Sequence, residues 1–361
     1  MQALRRRARE DVIVDDAGKI VSLMARLARI SVLRNLITDV AGIKVGHAED
    51  LRLGSGATAI IFDAPAVASI DLRGGGPGTR ETALLDPAQT VEGIDAITLS
   101  GGSAFGLDAA SGVQAWLKEQ GRGFLVRTAR VPIVPAAILF DLLGAGDKAW
   151  GRFPPYRELG YAAAAAAAGA EFGLGSVGAG TGATTVNYKG GVGSASAQTP
   201  EGHIVGALAA VNAAGSAVID RGPWFWAAPF EREAEFGGCG WPAAFPAKAF
   251  EPATKGGARE NTTLVVVATD AILTKAQAKR LAVMAQSGLS RAIYPVHTPL
   301  DGDVVFAAST GRRPLADQLL GLTALATVAA NVVARAIARG VFAATALPLP
   351  GAQPSWKDQF E

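Results

Sequence analysis

The feature that most constrains the fold is an alternation of short apolar runs with helical patterns, which continues along the chain without a clear linker. Such alternation is typical of a layered α/β structure. Of the 361 residues, 49% are hydrophobic and 18% are charged, so the chain can bury a large core. We therefore expect one composite α/β unit. Predicted strands cover residues 43–45, 58–62, 66–72, 96–99, 184–196 (strand, turn, strand), 203–211, 264–269 and 304–308, and predicted helices cover 107–119, 162–168, 275–288 and 315–339.

Two segments are predicted to be irregular. A turn that contains Pro65 is expected between the strands at 58–62 and 66–72. Residues 221–260 combine Trp, Pro, Gly and Glu over a long stretch without regular structure. A loop of this length in a compact protein is usually functional or mobile. It leads directly to the strand at 264–269.

The beginning of the chain differs from the rest. Residues 1–34 are rich in arginine, but acidic residues interrupt them and no continuous apolar stretch of the signal-peptide kind follows. We expect a weakly ordered extension ahead of a folded part that begins at Asn35. The single cysteine, Cys239, excludes an internal disulfide and fits a reducing compartment, so we expect a cytoplasmic location.

The charge balance says which partners are not expected. The formal net charge is +2, from 34 basic and 32 acidic residues, which gives no reason to expect nucleic acid or an anionic membrane as a partner. The uncharged run at 318–334 is shorter than the ~20 apolar residues of a membrane span. Polar residues recur at every fourth position from Thr323 to Arg339, which predicts a polar stripe on an amphipathic helix and no membrane partner.

Histidine and cysteine offer few catalytic arrangements. His47, His203 and His297 lie far apart, without HExxH spacing, and one cysteine forms no CxxC metal site. A zinc centre or a Ser-His-Asp triad would depend on the fold bringing distant residues together. Catalysis that needs no histidine becomes more attractive, and we expect neither a metal nor an organic cofactor.

A small hydroxyl residue at the start of a β-branched run is the first candidate for chemistry. Thr262 follows Asn261 and begins the predicted strand. A free α-amine has a pKa of about 7.7–8.0, close to the best value for a general base at neutral pH. Attack of the Thr262 hydroxyl on the Asn261 carbonyl would cut the chain and create that amine beside the hydroxyl. An ordinary strand start, or a glycosylation sequon at 261–263, fits the same residues.

A carboxylate pair is the second candidate. Asp301 and Asp303 flank Gly302 directly before the strand at 304–308. The Asp-Gly dipeptide predicts a hairpin turn. The functional alternative is a pair that hydrogen-bonds the hydroxyl and the amine of Thr262 and fixes their protons. A metal site is a third alternative, although no further ligands cluster nearby.

Two more polar residues stand in apolar or glycine-rich surroundings. Lys189 lies in a glycine-rich turn, where lysine is usually solvated, but a buried lysine can hold a nucleophile or a developing anion by its charge. Asn212 ends an apolar strand. It would either cap a turn or point its amide N–H at an oxyanion.

Four stretches in register resemble the L-aminopeptidase/D-esterase (DmpA-type) family, which includes β-peptidyl aminopeptidases and endo-type nylon-oligomer (6-aminohexanoate oligomer) hydrolases. The resemblance extends from residue 35 to about residue 343. It is carried by NLITDVAGIKVG at 35–46, LSGGSAFGLD at 99–108, NTT at 261–263 and HTPLDGDVVF at 297–306.

The resemblance implies a fold and an assembly. The fold would be the four-layer αββα sandwich of N-terminal-nucleophile-like hydrolases. Residues 35–261 and 262–361 would be the α and β fragments of one composite domain, separated by autocleavage. Homo-oligomers of αβ heterodimers, most simply tetramers, would act on a small peptide or amide without metal or cofactor.

The resemblance also implies roles for single residues. Thr262 matches the nucleophile that heads the β fragment, and Asn261 matches the last residue of the α fragment. Asp301 and Asp303 match the acidic pair.

The surrounding polar residues match as well. Lys189 and Asn212 match residues around the nucleophile, with Asn212 as the oxyanion donor. Tyr156 matches a pocket tyrosine across an alignment gap.

The residues at the cut decide between branches of the family. Many aminopeptidase members have Ser after Gly there, whereas this chain has Asn-Thr, as nylon-oligomer hydrolases do. The combination with Asp-Gly-Asp favours cleavage of short linear amides, with an L-aminopeptidase/D-esterase or β-peptidyl aminopeptidase as the alternative. An acyltransferase similar to ornithine acetyltransferase, which also self-cleaves before Thr, and an uncleaved binding protein remain further alternatives.

Overall fold

The computed structural model describes residues 13–14, 20–21, 33–255 and 261–361. The first unit, Met1–Arg34, contains strands β1 (Ile13–Val14) and β2 (Ile20–Val21), which pair antiparallel. Most of the predicted weakly ordered extension lies outside the described residues, so that expectation stays a prediction. The second unit is Asn35–Glu361.

The second unit is built on two sheets that share one long strand. Strand β4, Ser55–Leu72, pairs through its first half with Ile43–Asp50 and Ile94–Ser100, which belong to the first sheet. Its second half pairs with Val304–Arg313, which belongs to the second sheet. The predicted turn at Pro65 is therefore wrong. Pro65 lies where the ladder register shifts, between Ile61 and Ala66, and there its missing N–H breaks no ladder bond.

The strand order places the ends of three strands together. The order across both sheets is β10-β11-β12-β13-β4-β6-β9-β5, and β3 pairs with β4 outside this path. Strand β12 is antiparallel to β11 and parallel to β13. The strands are β3 (Ile43–Asp50), β5 (Thr79–Arg80), β6 (Ile94–Ser100), β9 (Ala136–Ile138), β10 (Val192–Gln198), β11 (Ile204–Asn212), β12 (Thr262–Ala271) and β13 (Val304–Arg313), and a separate hairpin joins β7 (Phe124–Val126) to β8 (Ala129–Val131).

The helices cover the outer faces of the sheets. Helix α1 packs on α2, and both lie against the first sheet, whereas α3 and α5 lie against the second. A Cβ on Gly160 of α2 would lie 2.0 Å from the Ala109 carbonyl oxygen, so glycine permits this close helix contact. The helices are α1 (Ala109–Glu119), α2 (Tyr156–Ala165), α3 (Lys275–Ala285), α4 (Ser287–Ser290), α5 (Leu320–Phe342) and α6 (Trp356–Phe360).

The side chains of β12 alternate between two core layers, because successive strand residues point to opposite faces. Val265 and Val267 pack with residues of α3 and α5. Leu264 and Val266 pack with Ile60 and other residues of the first sheet. A third cluster joins the outer face of the first sheet to α1 and α2. The layers are thus α, β, β and α, as predicted.

Helix α5 corrects the predicted polar stripe. It is long and apolar enough to cross a membrane by length and composition, but 61% of its most apolar window is buried inside the protein. Thr323 and Thr327 are exposed, as a polar stripe requires. Arg335, on the same stripe, is 3% exposed and binds Glu235. The stripe therefore begins in solvent and ends in a buried ion pair.

Candidate active site

The ends of three neighbouring strands bring the predicted site residues to one edge of the second sheet. Thr262 at the start of β12 is the register partner of Asn212 at the end of β11. Asn261 forms a parallel bridge with Asp301, and Asp303 directly precedes β13. Parallel strands begin at the same edge of a sheet, so the segments before β12 and β13 meet there. The hairpin alternative for the Asp-Gly pair is therefore wrong.

Two donors converge on the carbonyl oxygen of Asn261. The Thr262 hydroxyl donates to it at 2.5 Å, and the backbone N–H of Gly302 donates to it at 2.7 Å. Thr262 is only 4% exposed. A Cβ on Gly302 would lie 2.7 Å from the Thr262 hydroxyl oxygen, so only glycine fits this approach. The arrangement polarises one peptide carbonyl and places a hydroxyl beside it.

The carboxylate of Asp301 is buried and held by backbone and hydroxyl donors. Oδ1 accepts from the N–H of Ala214 at 3.0 Å. Oδ2 accepts from the N–H and the hydroxyl of Thr298, at 3.0 and 2.7 Å. Burial raises the pKa of Asp301 above its usual value, and the charge of Asp303 raises it further.

The carboxylate of Asp303 connects the start of β12 to a histidine. Oδ1 accepts from the N–H of Thr263 at 2.7 Å. Oδ2 accepts from the backbone N–H of His297 at 3.1 Å and from its ring Nδ1 at 2.9 Å. Sequence reasoning gave His297 no role, although it lies in one of the stretches that carry the family resemblance. Because the three histidines were compared only with one another, the pair of His297 and Asp303, six residues apart, was missed.

Asn212 is buried at the centre of a hydrogen-bond network. Its Oδ1 accepts from the Thr184 N–H at 2.9 Å and from Lys255 Nζ at 3.2 Å. Its Nδ2 donates to the Phe140 carbonyl at 2.9 Å. An amide nitrogen carries two hydrogens, so within the described part of the chain one donor of Asn212 remains for an oxyanion.

Lys189 is buried, not solvated. Its Nζ donates to the carbonyl oxygens of Gly180, Ala183 and Gly190 at 2.7–2.8 Å. Burial lowers the pKa of Lys189 to about 7, the charge of Lys255 lowers it further, and the charge of Asp141 opposes the shift. The three bonds fix the Lys189 amine to the backbone, in the wall of a cavity that Asn261 also lines.

A cavity of about 250 Å³ adjoins Asn261, and both polar and apolar residues line it. Asn261 contributes a buried amide that has no hydrogen-bond partner among the described residues. Asp141, Lys189 and Lys255 are the charged residues of its wall. Burial lowers the pKa of Lys255 to about 7, against the opposing charge of Asp301. Sequence reasoning missed Lys255, although it lies in the irregular segment predicted to lead to the cut.

Tyr156 is connected to this cavity through a chain of hydrogen bonds that ends at Asp141 in the cavity wall. It is fully buried, and its hydroxyl donates to Ser55 at 3.1 Å. Ser55 donates to Asp141 at 2.7 Å, and the N–H of Gly102 donates to the other oxygen of Asp141 at 2.8 Å. Burial raises the pKa of both Tyr156 and Asp141. Asp141 carried no sequence signal, because it stands in an apolar stretch.

Metal ligands do not cluster in the part of the chain described above: it contains no group of three His, Cys, Asp or Glu side chains placed to hold an ion. The carboxylate oxygens of Asp301 and Asp303 instead accept hydrogen bonds from backbone N–H groups, the Thr298 hydroxyl and the His297 ring.

The sandwich has counterparts among solved structures, which define its class. An L-aminopeptidase D-Ala-esterase/amidase from Ochrobactrum anthropi, described as a variant of the Ntn hydrolase fold, superposes with a TM-score of 0.66 at 22% identity, over 89% of this chain and 90% of that chain. A β-aminopeptidase from Burkholderia sp. gives 0.65 at 23% identity, over 89% and 90%. The fold is that of the N-terminal-nucleophile hydrolases.

The chain belongs to peptidase family S58, which it matches over residues 35–353. An uncharacterised aminopeptidase of Mycobacterium tuberculosis is 43% identical over 347 residues, which cover 90% of this chain and 98% of the relative. A 6-aminohexanoate-oligomer endohydrolase of Kocuria sp. is 29% identical over 286 residues, 75% of this chain and 74% of the relative. The protein is an aminopeptidase-like hydrolase, and the predicted family resemblance is confirmed.

Proposed function

We propose that this peptidase cuts its own chain between Asn261 and Thr262 and then uses Thr262 as an N-terminal nucleophile. One observation carries the proposal: the Thr262 hydroxyl and the Gly302 N–H both donate to the Asn261 carbonyl oxygen, at 2.5 and 2.7 Å. A hydroxyl beside a polarised carbonyl, in a buried position, is the arrangement that an acyl shift requires.

Self-cleavage would proceed in two steps. The Thr262 oxygen bonds to the Asn261 carbonyl carbon, and the Gly302 N–H stabilises the negative charge on the carbonyl oxygen. The C–N bond then breaks, the nitrogen of Thr262 gains a proton, and an ester joins the two residues. Water hydrolyses the ester, which leaves a carboxylate on Asn261 and a free amine and hydroxyl on Thr262.

The mature site would repeat this chemistry on a substrate. The α-amine of Thr262 takes the hydroxyl proton while the oxygen attacks the substrate carbonyl, and the leaving amine receives the proton. The remaining N–H of Asn212 and backbone N–H groups such as that of Gly302 would stabilise the oxyanion. Asp301 and Asp303 orient the new terminus, and Lys189 contributes its positive charge from below. Water then releases the acyl group.

The cavity and the relatives support a substrate class for this proposal. A cavity of about 250 Å³ beside Asn261 suits the acyl part of a short linear amide. Relatives named for 6-aminohexanoate oligomers and for aminopeptidase activity support peptides or ω-amino-acid oligomers as substrates. An L-aminopeptidase/D-esterase or a β-peptidyl aminopeptidase is the alternative, so a substrate panel has to separate these activities.

The fragments would stay together after the cut and assemble further. Residues 35–261 and 262–361 contribute neighbouring strands to one sheet. We propose homo-oligomers of αβ heterodimers, with tetramers favoured, and the half-exposed apolar side chains of the hairpin β7–β8 support such association. The exposed, unpaired Cys239 supports a cytoplasmic location. Light scattering on the purified protein measures the oligomer size.

N-terminal sequencing after denaturing electrophoresis tests the cut. We expect a fragment that begins at Thr262 in the wild type and none in Thr262→Ala. Thr263→Val is the matched control, because the Thr263 hydroxyl is buried without a hydrogen-bond partner among the described residues. An intact wild-type chain after long incubation would refute self-cleavage, and so would fragments from Thr262→Ala.

Activity assays test the nucleophile and the substrate. Amino-acid amides, β-dipeptides and aminohexanoate oligomers are each incubated with the wild type, Thr262→Ala and Thr263→Val. We expect the wild type and Thr263→Val to hydrolyse a substrate of the panel, and Thr262→Ala to hydrolyse none. Full hydrolysis by Thr262→Ala would contradict the assignment of the nucleophile.

A further inference from the structure

Self-cleavage needs a proton acceptor that the uncut chain does not have at Thr262. In the mature site the α-amine of Thr262 would accept the hydroxyl proton. Before the cut that nitrogen belongs to a peptide bond, and an amide nitrogen is not a useful base. Another group has to take the proton when the hydroxyl attacks Asn261.

The acidic pair is already engaged. Both oxygens of Asp301 accept hydrogen bonds, from Ala214 and Thr298. Both oxygens of Asp303 also accept, from Thr263 and His297. These bonds hold the carboxylates toward their backbone donors and suit a role in positioning the start of β12.

The two buried lysines differ in how many hydrogens they donate. Lys189 donates to three carbonyl oxygens, which uses all three hydrogens of an ammonium group. Among the described residues, Lys255 donates to two oxygens, both of Asn212: Oδ1 at 3.2 Å and the backbone carbonyl at 3.4 Å. A neutral amine has two hydrogens and one lone pair. The contacts of Lys255 therefore leave a lone pair free, whereas those of Lys189 do not.

Lys255 also lies in the right place. Its partner Asn212 is opposite Thr262 in the ladder between β11 and β12. Lys255 and Asn261 line the same cavity. Among the described residues, the charged groups around it are Asp301, Asp141 and Lys189. Burial favours the neutral amine of Lys255, and the charge of Asp301 opposes this.

We propose that Lys255 is the proton acceptor for self-cleavage, an inference that rests on the function proposed above. Its neutral Nζ takes the Thr262 hydroxyl proton, directly or through one water, as the oxygen bonds to the Asn261 carbonyl carbon. The proton passes to the Thr262 nitrogen as the C–N bond breaks. Lys255 is neutral again, and the ester awaits water.

Two substitutions of Lys255 separate proton transfer from tethering. Lys255→Met removes the amine, and Lys255→Arg keeps a cation that can donate to Asn212 but has no basic lone pair. We expect both variants to self-cleave about 100-fold more slowly than the wild type, the lower end of a general-base contribution. Lys248→Met, an exposed lysine of the same irregular segment, is the control and should cleave at the wild-type rate.

The experiment follows full-length chains made by cell-free synthesis, with the intact chain and the two fragments quantified over time by electrophoresis. A thermal melt of each intact variant checks that it is folded. In the wild type the cleavage rate should rise with pH through about 7 and then level off, following the neutral form of Lys255. Added ethylamine should restore part of the cleavage rate of Lys255→Met, and this restored rate should increase with pH. The wild-type pH profile needs no variant, so it tests the proposal even where a substitution prevents folding.

The outcomes distinguish this inference from the function on which it rests. Wild-type chains that never cut would overturn both. A wild type that cuts while Lys255→Arg or Lys255→Met cuts at the same rate would overturn the inference alone. A wild-type rate that does not change between pH 5.5 and 8.5 would do so as well.

Discussion

Two groups of charged residues with buried carboxylates, one around Glu235 and one at Asp301 and Asp303, are held in different ways. Glu235 accepts hydrogen bonds from Arg335 and Asn35, and Arg339 lies 3.5 Å away. Burial alone would raise its pKa, but these hydrogen bonds and charges hold the pKa of Glu235 below its ordinary value. In this group, the positive charges of the two arginines compensate for the burial of the Glu235 carboxylate.

The acidic pair before β13 lacks that compensation. In the part of the chain that the structure describes, no lysine or arginine forms a salt bridge with Asp301 or Asp303, and His297 is the ionisable partner of Asp303. Burial raises the pKa of Asp301 instead. The comparison shows that pairing with arginine lowers the pKa of a buried carboxyl group, whereas burial without such a partner raises it, and perturbed groups of the second kind are common at functional sites.

The largest expected difference concerns activity. Asp303→Asn puts an N–H donor where an oxygen now accepts from Thr263 or His297, so it displaces the start of β12. We expect kcat/KM on the preferred amide to fall about 10³-fold, within the range of acid–base contributions. Glu235→Gln is the matched change in the paired group and should leave kcat/KM within about threefold, a change worth less than 1 kcal/mol. Equal losses of kcat/KM in the two variants would show that the two groups of charged residues do not differ in their effect on catalysis.

The next difference concerns stability. Glu235→Gln leaves Arg335 buried without its charged partner, which costs about 3 kcal/mol of unfolding free energy. Denaturant unfolding of Glu235→Gln in a Thr262→Ala background, where no cut occurs, measures it. A loss below about 1 kcal/mol, as for exposed pairs, would show that the pairing contributes little.

The pH dependence of stability separates the groups again, with a smaller effect. The pKa of Glu235 is lowered, so its contribution is present above the ordinary value of 4.5 and is lost as the pH falls through the folded-state pKa. The pKa of Lys255 is lowered from 10.5 to about 7, so the unfolded chain binds more protons between these values and stability rises with pH there. In uncut Thr262→Ala protein, adding Lys255→Met should reduce the alkaline rise and adding Glu235→Gln the acid loss. An alkaline rise that is unchanged by Lys255→Met would contradict this assignment.

The smallest effect is expected at Tyr156, which lies outside both groups. Tyr156→Phe removes one hydrogen bond to Ser55, at a cost of about 1 kcal/mol in stability. Asp141 keeps its bonds from Ser55 and Gly102, so KM should change less than about threefold, under 1 kcal/mol. Ser55→Ala removes a direct partner of Asp141 and should raise KM more. The reverse order in KM would mean that Tyr156 contacts the substrate itself.

Much of the fold could be predicted from the sequence, because alternating strands and helices and the four family-like stretches carry it. The continuity of β4 could not be predicted from the sequence. Pro65 indicates a turn in isolation, and only the neighbouring strands show that its missing N–H falls at a register shift. The buried end of the polar stripe on α5 was hidden for a similar reason, since Glu235 is 100 residues away from Arg335.

The residues of the site divide in the same way. Asn261, Thr262, Asp301 and Asp303 stand at strand ends in short motifs, so sequence reasoning selected them, and their chemical roles stay predictions. Lys255 meets Asn212 across 43 residues and lies in a segment without any periodic pattern. Asp141 and His297 were missed as well, because only the tertiary contacts described above give them partners.

The position of β12 inside the sheet has a consequence for the lifetime of the molecule. This strand is paired along its length with β11 on one side and β13 on the other. A chain cut before Thr262 would hold its two pieces by those ladders, but once unfolded the pieces would have to find each other in solution. Folding would be a unimolecular event that happens once, before the cut. Afterwards the enzyme would depend on slow unfolding, a kinetic protection, and not on its capacity to refold.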